Sequence, residues 1–139
     1  MDLKKYCFDA SVLFIYVTEK DACADLDRVI SGIKDGRSEG ILSTVNLAEF
    51  HRAIMRAFSE SKADLYISWI RESGLSIVEL DEETALLASL KKQRYAKAGS
   101  PFAWGDAFCL ATALKNKCQT ILTSDNEFDK VTEIEVLKV

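Results

Sequence analysis

The sequence predicts an α/β fold, a three-layer α/β/α sandwich built on a mostly parallel sheet of about five strands. Three observations lead there. Short apolar runs rich in β-branched and aromatic residues alternate with longer stretches whose apolar residues recur at helical spacing. Those helical stretches are long enough to carry the chain back across a sheet, as a parallel neighbour requires. One proline, no internal repeat and no compositional break across 139 residues lead to the expectation of a single domain over residues 1–139.

Lys5-Tyr6-Cys7-Phe8 reads as the first strand, and Ser11 to Val17 as a short helix. A second helix runs from about Ala22 to Lys34, with Leu26, Val29, Ile30 and Ile33 on one face, and Asp35-Gly36 stops it. Gly40 to Thr44 is the second strand. Asn46 is expected to cap a helix carrying Leu47, Phe50, Ala53, Ile54 and Ala57. Another helix spans about Ser61 to Glu72 and ends at Gly74. Ser76 to Leu80 is the third strand, followed by Asp81 as N-cap of a long helix to about Ala98, closed by Gly99. Ser100-Pro101 carries the cap and first-turn proline signature of a helix to about Lys117. Gln119 to Thr123 is a strongly apolar strand, and Ile134 to Val139 a weaker final one.

Apolar residues make up 48% and charged residues 29%, spread along the chain, a globular and not a disordered composition. The start, Met1 to Lys5, leads into a short apolar run that carries Asp9, with no signal-peptide pattern and no span of about 20 apolar residues. A cytoplasmic protein without a membrane segment is the expectation. Cys7, Cys23, Cys109 and Cys118 lack Cys-x-x-Cys spacing, so they read as reduced thiols and not as zinc ligands or disulfides. A net charge of −4 argues against a passive nucleic-acid binder, which neutralises phosphate with a basic surface. Bound cations at an acidic site reverse that argument locally.

In open parallel sheets, ligands bind beyond the carboxyl ends of the strands. Asp9 directly follows the first strand, Asp125 lies just past Ile121-Leu122-Thr123, and Glu49 sits one turn into the helix after the second strand. Each also has a plain structural reading. Asp9 can cap the helix opened by Ser11, and Asn46 with Glu49, like Ser124 with Glu127, fits a capping box. Asp106 is harder to explain that way, because at 100° per residue it falls among Phe102, Cys109, Leu110 and Ala113 on the apolar side of its helix. A carboxylate there must be protonated, hydrogen-bonded, paired or bound to metal, and the only cation at a matching position, Lys117, is three turns on. Four carboxylates in one cleft would repel unless cations sat among them, and oxygen-only ligands suit Mg2+ or Mn2+. Magnesium suits phosphate chemistry, so phosphodiester hydrolysis is the expected reaction.

Phe8-Asp9-Ala10-Ser11, Ser43-Thr44-Val45-Asn46-Leu47-Ala48-Glu49, Gly105-Asp106-Ala107 with Ala111-Thr112-Ala113, and Leu122-Thr123-Ser124-Asp125-Asn126-Glu127-Phe128 follow one another in an order that resembles the PIN-domain ribonucleases, most closely the VapC-like toxins of toxin–antitoxin modules. The resemblance covers essentially the whole chain. It implies a PIN-like fold and a Mg2+- or Mn2+-dependent endoribonuclease whose metal and catalytic residues are Asp9, Glu49, Asp106 and Asp125. It also implies an RNA substrate, a homodimer and a small antitoxin that blocks the site. By the same analogy Ser11 and Ser124 support the ligands, and Glu127 is an auxiliary acid.

Arg52 and Arg56 follow Glu49 at helical spacings and either steer phosphate or pair on the surface with Glu49. Lys91, Lys92, Arg94 and Lys97 form either an RNA-binding stripe or a solvated face. His51, two residues beyond Glu49, points to a different side of the helix and is not expected to act as a base. Trp69 and Trp104 read as core or interface residues. Two rivals remain open: a PIN fold kept for binding without turnover, and a phosphoacceptor domain using Asp81. The second lacks an acid pair after the first strand, where Asp9 is followed by Ala10-Ser11.

Overall fold

The computed structural model describes residues 3–19 and 23–139. In chain order the elements are β1 Lys4–Phe8, α1 Ala10–Thr18, α2 Ala24–Lys34, β2 Ser38–Ser43, α3 Thr44–Ala57, α4 Glu60–Glu72, β3 Ser76–Val78, α5 Glu82–Lys97, α6 Trp104–Lys115, β4 Thr120–Thr123, a 3-10 turn Asn126–Lys130, and β5 Glu135–Lys138. The start expected for the second helix, Ala22, lies outside the described residues.

All strands are parallel, in the order β3-β2-β1-β4-β5. The three-layer α/β/α prediction holds, and the strand alternation explains how the layers form. Cys7 pairs in register with Ile41 and Ile121, and this row points into a core with Leu110, Ala113 and Phe102 on the α5–α6 side. One residue on, Phe8 and Leu122 point the other way, into a core with Leu13, Leu26, Phe50 and Ile70 beneath α1 to α4. Both faces of the central strands are therefore buried, and these strands read as near-continuous apolar runs. Gly40, in the middle of β2, stands where a Cβ would lie 2.5 Å from Ile33 Cδ1 and 2.7 Å from Leu75 Cδ2.

The chain leaves β1 toward β2 and β3 on one side, then returns to β4 and β5 on the other. The order therefore reverses at β1, and the crevice that such a reversal opens lies at the carboxyl ends of β1 and β4.

Three local expectations need correction. Ser43, not Asn46, caps α3: its hydroxyl accepts from Asn46 N–H at 3.0 Å, so the helix begins two residues before Asn46. Ser124 and Glu127 form no capping box, because Asp125 caps the turn by accepting from Glu127 N–H. The helix expected from Ser100 begins at Trp104. Gly99, at φ 80°, ends α5, and Phe102 is then drawn into the core between Tyr95 and Phe128, with ring centroids 4.7 and 5.5 Å away. The Phe102 carbonyl accepts from Lys92 Nζ, and Ala103 N–H donates to Glu127. Tertiary packing thus holds residues 100–103 out of a helix whose start the proline signalled.

Candidate metal centre

Asp9, Asp106 and Asp125 each place a carboxylate oxygen so that the three lie within 4.8 Å of one another, and Glu49 lines the same cleft. Each arrives from a different element. Asp9 ends β1, Asp125 follows β4 by two residues, Glu49 sits on the second turn of α3, and Asp106 on the first turn of α6. The four acids singled out in the sequence do share one cleft.

The polar groups around them hold each acid in place. Asp9 accepts from Ala10 N–H at 2.9 Å, Ser11 Oγ at 2.8 Å and Thr123 Oγ1 at 2.8 Å. It therefore caps α1 and belongs to the cluster at once. Thr123, fully buried at the end of β4, also accepts from Asp125 N–H at 3.0 Å and so ties two acids together. Ser11 accepts from Ser124 N–H at 3.0 Å, which fixes the loop that carries Asp125. Ser124 enters through its backbone and lines the cleft.

Glu49 is oriented by Asn46, whose Nδ2 donates to Glu49 Oε1 at 2.8 Å and to the Gly105 carbonyl at 3.2 Å. Asn46 is fully buried, with its Oδ1 taken by the Ser43 hydroxyl. Gly105 is required by the same contact: a Cβ there would lie 2.5 Å from Glu49 Cδ. Asn46, Thr123 and Gly105 thus position the site, yet the sequence marked none of them for that role. Their only signal was adjacency to the acids.

The electrostatics are those of acids without partners. Asp9 and Asp106 are 4% and 6% exposed, and among the described residues none of the four acids forms an ion pair. Burial pushes Asp106 up to about 10, reinforced by its hydrogen bond with Glu127 and by the charges of Asp9 and Asp125. Glu127 is shifted down, chiefly by its contact with Asp106 and then by the Ala103 N–H. Burial also raises Asp9 against the pull of its three donors. Burial raises Glu49 against the pull of the Asn46 hydrogen bond, and the charges of Asp9 and Asp125 add to the rise.

A divalent cation would remove this frustration. The donors are all carboxylate oxygens, they converge from four elements, and among the described residues no side-chain cation pairs with them. These residues therefore fit a hard, oxygen-loving ion such as Mg2+ or Mn2+, and they offer neither the nitrogen nor the sulfur that zinc prefers.

The other residues weighed in the sequence take the following places. Arg56, not Arg52, lines the acid cleft, and both are exposed on the same helix. His51 faces α4, with Nε2 3.5 Å from Asp64. Lys91 pairs with Glu133, and Lys92 lies 5.2 Å over the Trp104 ring, so half of the basic stripe is engaged internally. Trp69 stacks on Tyr16 at 5.3 Å, while Trp104 is 52% exposed. Asp81 is exposed and bonded to Lys115, and it lies outside the acid cleft. All four cysteines are free thiols. Among the described residues no helix is long and apolar enough to cross a membrane.

A family model described as PIN domain matches residues 6–134. Comparison with curated proteins gives no match. Among solved structures, the chain is similar to VapBC2 from Rickettsia felis, solved on a DNA fragment from its promoter, with TM-score 0.79 and 11% identity over 96% of this chain and 98% of that one. It is also similar to VapC20 of Mycobacterium tuberculosis, a sarcin–ricin-loop-cleaving toxin, with TM-score 0.73 and 15% identity over 94% and 98%. FitAcB from Neisseria gonorrhoeae gives TM-score 0.74 and 17% identity over 96% of each chain. At these identities the likeness is one of fold.

Proposed function

The chain belongs to the PIN-domain family, and from that premise we propose that it is a metal-dependent endoribonuclease, the toxin of a toxin–antitoxin pair, acting as one domain over residues 1–139. The observation that carries the reading is the trio Asp9, Asp106 and Asp125, two of them buried and the third half-buried, with no ion pair to any of them among the described residues. Asp9, Glu49, Asp106 and Asp125 are the metal-holding and catalytic residues, with Ser11, Ser124 and Glu127 as supports and Arg52 adding positive charge outside the cleft. The ion is magnesium or manganese. The substrate is RNA, and a small antitoxin that covers the acids keeps the toxin silent in the cytoplasm. The toxin–antitoxin complexes among its structural neighbours support that partner, and a homodimer is part of the same reading.

A divalent ion bound here supplies a Lewis acid that polarises a phosphoryl oxygen and brings a water into nucleophile range. The chain's own groups do the rest. Asp9, fixed by Ala10, Ser11 and Thr123, lines the cleft. Asn46 sets the rotamer of Glu49 on the opposite wall. Because burial and the neighbouring carboxylates raise Asp106, affinity for the ion is expected to rise with pH. Thr123 links Asp9 to the Asp125 backbone, so a shift in one acid moves the other.

The test is cleavage of a mixed RNA pool by purified protein with manganese or magnesium, beside a chelator control and an Asp106→Asn variant. Cleavage is expected only with the ion, and it is lost in the variant. A wild type that stays inert after any copurifying protein has been stripped would overturn the nuclease in favour of a PIN fold kept for binding.

A further inference from the structure

The acids share their cleft, about 610 Å³ in volume, with residues of α1 and α3 that carry no acid. It runs between α1 and α3, walled by Phe14 and Ile15 on one side and by Ala53, Arg56 and Ala57 on the other. The helical period makes this a groove. Ala10, Ser11, Phe14 and Ile15 share one side of α1, while Glu49, Ala53, Arg56 and Ala57 recur at i, i+4, i+7 and i+8 along one side of α3. Glu49 and Arg56 are seven residues apart, about 10 Å along the helix axis, which is the span of a nucleotide or two.

Arg56 stands in a cleft with four carboxylates, yet among the described residues it pairs with none of them. Its charge is therefore not spent on neutralising the acids. A guanidinium left unpaired two turns from Glu49 is free for the anion of a ligand, and its planar fork matches phosphate. Between it and the acids the wall is apolar and includes the half-buried ring of Phe14. An apolar and aromatic wall beside a cation is what an unpaired nucleotide uses, with the base against the ring and the phosphate on the arginine.

We propose that the α1–α3 groove is a subsite for single-stranded RNA, in which Arg56 binds a phosphate neighbouring the scissile one and Phe14 with Ile15 takes the intervening base. The proposal rests on the nuclease reading and narrows it. Within that reading it gives each part of the groove a role, the Arg56 cation to a phosphate and the Phe14 ring to a base. Anchoring one phosphate about 10 Å from Glu49 also sets which phosphodiester lies over the acids, a positioning role for a residue that touches no reacting atom.

Binding, not turnover, tests this. In the Asp106→Asn background with calcium, affinity for a short fluorescein-labelled single-stranded RNA is measured by anisotropy across a range of salt. Adding Arg56→Gln is expected to weaken binding roughly tenfold and to reduce the slope of log K against log salt by about 0.7, the value for one single-strand phosphate contact. Arg71→Gln, an exposed arginine on α4 outside the groove, removes the same charge and leaves the slope unchanged. Phe14→Leu weakens binding by about tenfold with the slope intact, because a stacked ring is lost without a charge. Parental affinity and slope in Arg56→Gln would overturn the subsite. So would an equal loss of slope in Arg71→Gln, or an Arg56 effect confined to capture of a small partner protein. The nuclease reading fails separately: the wild type would then cleave nothing in manganese while the slope difference persists.

Discussion

Asp9 and Asp81 begin from the same local grammar and become different chemical groups. Each follows a strand of the sheet and caps the next helix, Asp9 accepting from Ala10 N–H at 2.9 Å and Asp81 from Thr84 N–H at 2.8 Å. Asp9 directly follows the central strand β1 at the reversal of strand order, where Asp125 and Asp106 converge on it and, among the described residues, none of the three forms an ion pair. Asp81 follows the edge strand β3, stands in solvent and bonds Lys115, which also contacts Glu83. Burial raises the Asp9 carboxyl, whereas the bonds to Lys115 and Thr84 hold Asp81 well below the usual carboxylate range. The cap is a property of the local sequence. The chemistry is a property of where the sheet puts it, and it also places the phosphoacceptor reading of Asp81 at a site with a neutralised, outward-facing acid.

The largest expected effect comes from making the same substitution at both positions. Asparagine caps a helix about as well as aspartate, so Asp9→Asn and Asp81→Asn both keep their helices. Asp9→Asn is expected to cut metal-dependent RNA cleavage by on the order of a hundredfold or more, while Asp81→Asn leaves turnover within about twofold. Equal losses in a cleavage time course would break the comparison and place Asp81 in the active machinery. Next in size is Gly105→Ala, which adds one methyl on the acid side and leaves every carboxylate in the chain. That Cβ would lie 2.5 Å from Glu49 Cδ, so Glu49 must leave its bond to Asn46. Cleavage should fall roughly 10- to 100-fold, the usual scale for disturbing a group that orients a ligand. A variant as active as the wild type would show that the Glu49 position does not matter.

The sheet and its helices were legible because each carries a period. The buried rows through Cys7 and Phe8 are strand alternation, and α2 and α3 present the expected apolar faces. What failed was local signal overridden by distant packing. Ser100-Pro101 announces a helix, but burial of Phe102 between Tyr95 and Phe128 delays it to Trp104. Asn46 looked like a cap because its sequence neighbours fit a capping box, and only the arrival of Gly105 from a helix 59 positions away shows it to be the hinge of the Glu49 contact. The acids themselves were found by order and residue type. Thr123 escaped notice because an ordinary strand threonine becomes a bridge between two acids only once β1 and β4 are neighbours.

The smallest effect also gives the comparison a sign. For the metal-free protein, the unfolded Asp106 carboxyl titrates near ~3.9, while the folded one is pushed up to about 10 by burial and by Glu127. Between those values the native state holds a proton that the unfolded state has lost, so stability is greatest at the acid end and declines as pH rises through the window. Asp81 works in the opposite direction: its folded pKa is depressed, so its contribution is present above the unfolded value and is lost as pH falls. Thermal melts in chelator are therefore expected to drop from pH 5 to pH 9. Asp106→Asn should flatten that slope and raise the alkaline melting temperature by several degrees, about 1–2 kcal/mol. Asp81→Asn should leave the slope between pH 5 and pH 9 in place and lower stability slightly throughout that range. Saturating magnesium should recover the alkaline loss in the wild type and do little for Asp106→Asn, because the ion takes the place of the proton that the variant no longer carries. If Asp106→Asn instead melts lower than the wild type at pH 9 in chelator, the buried acid is a stabilising part of the fold, and its distinction from Asp81 is lost.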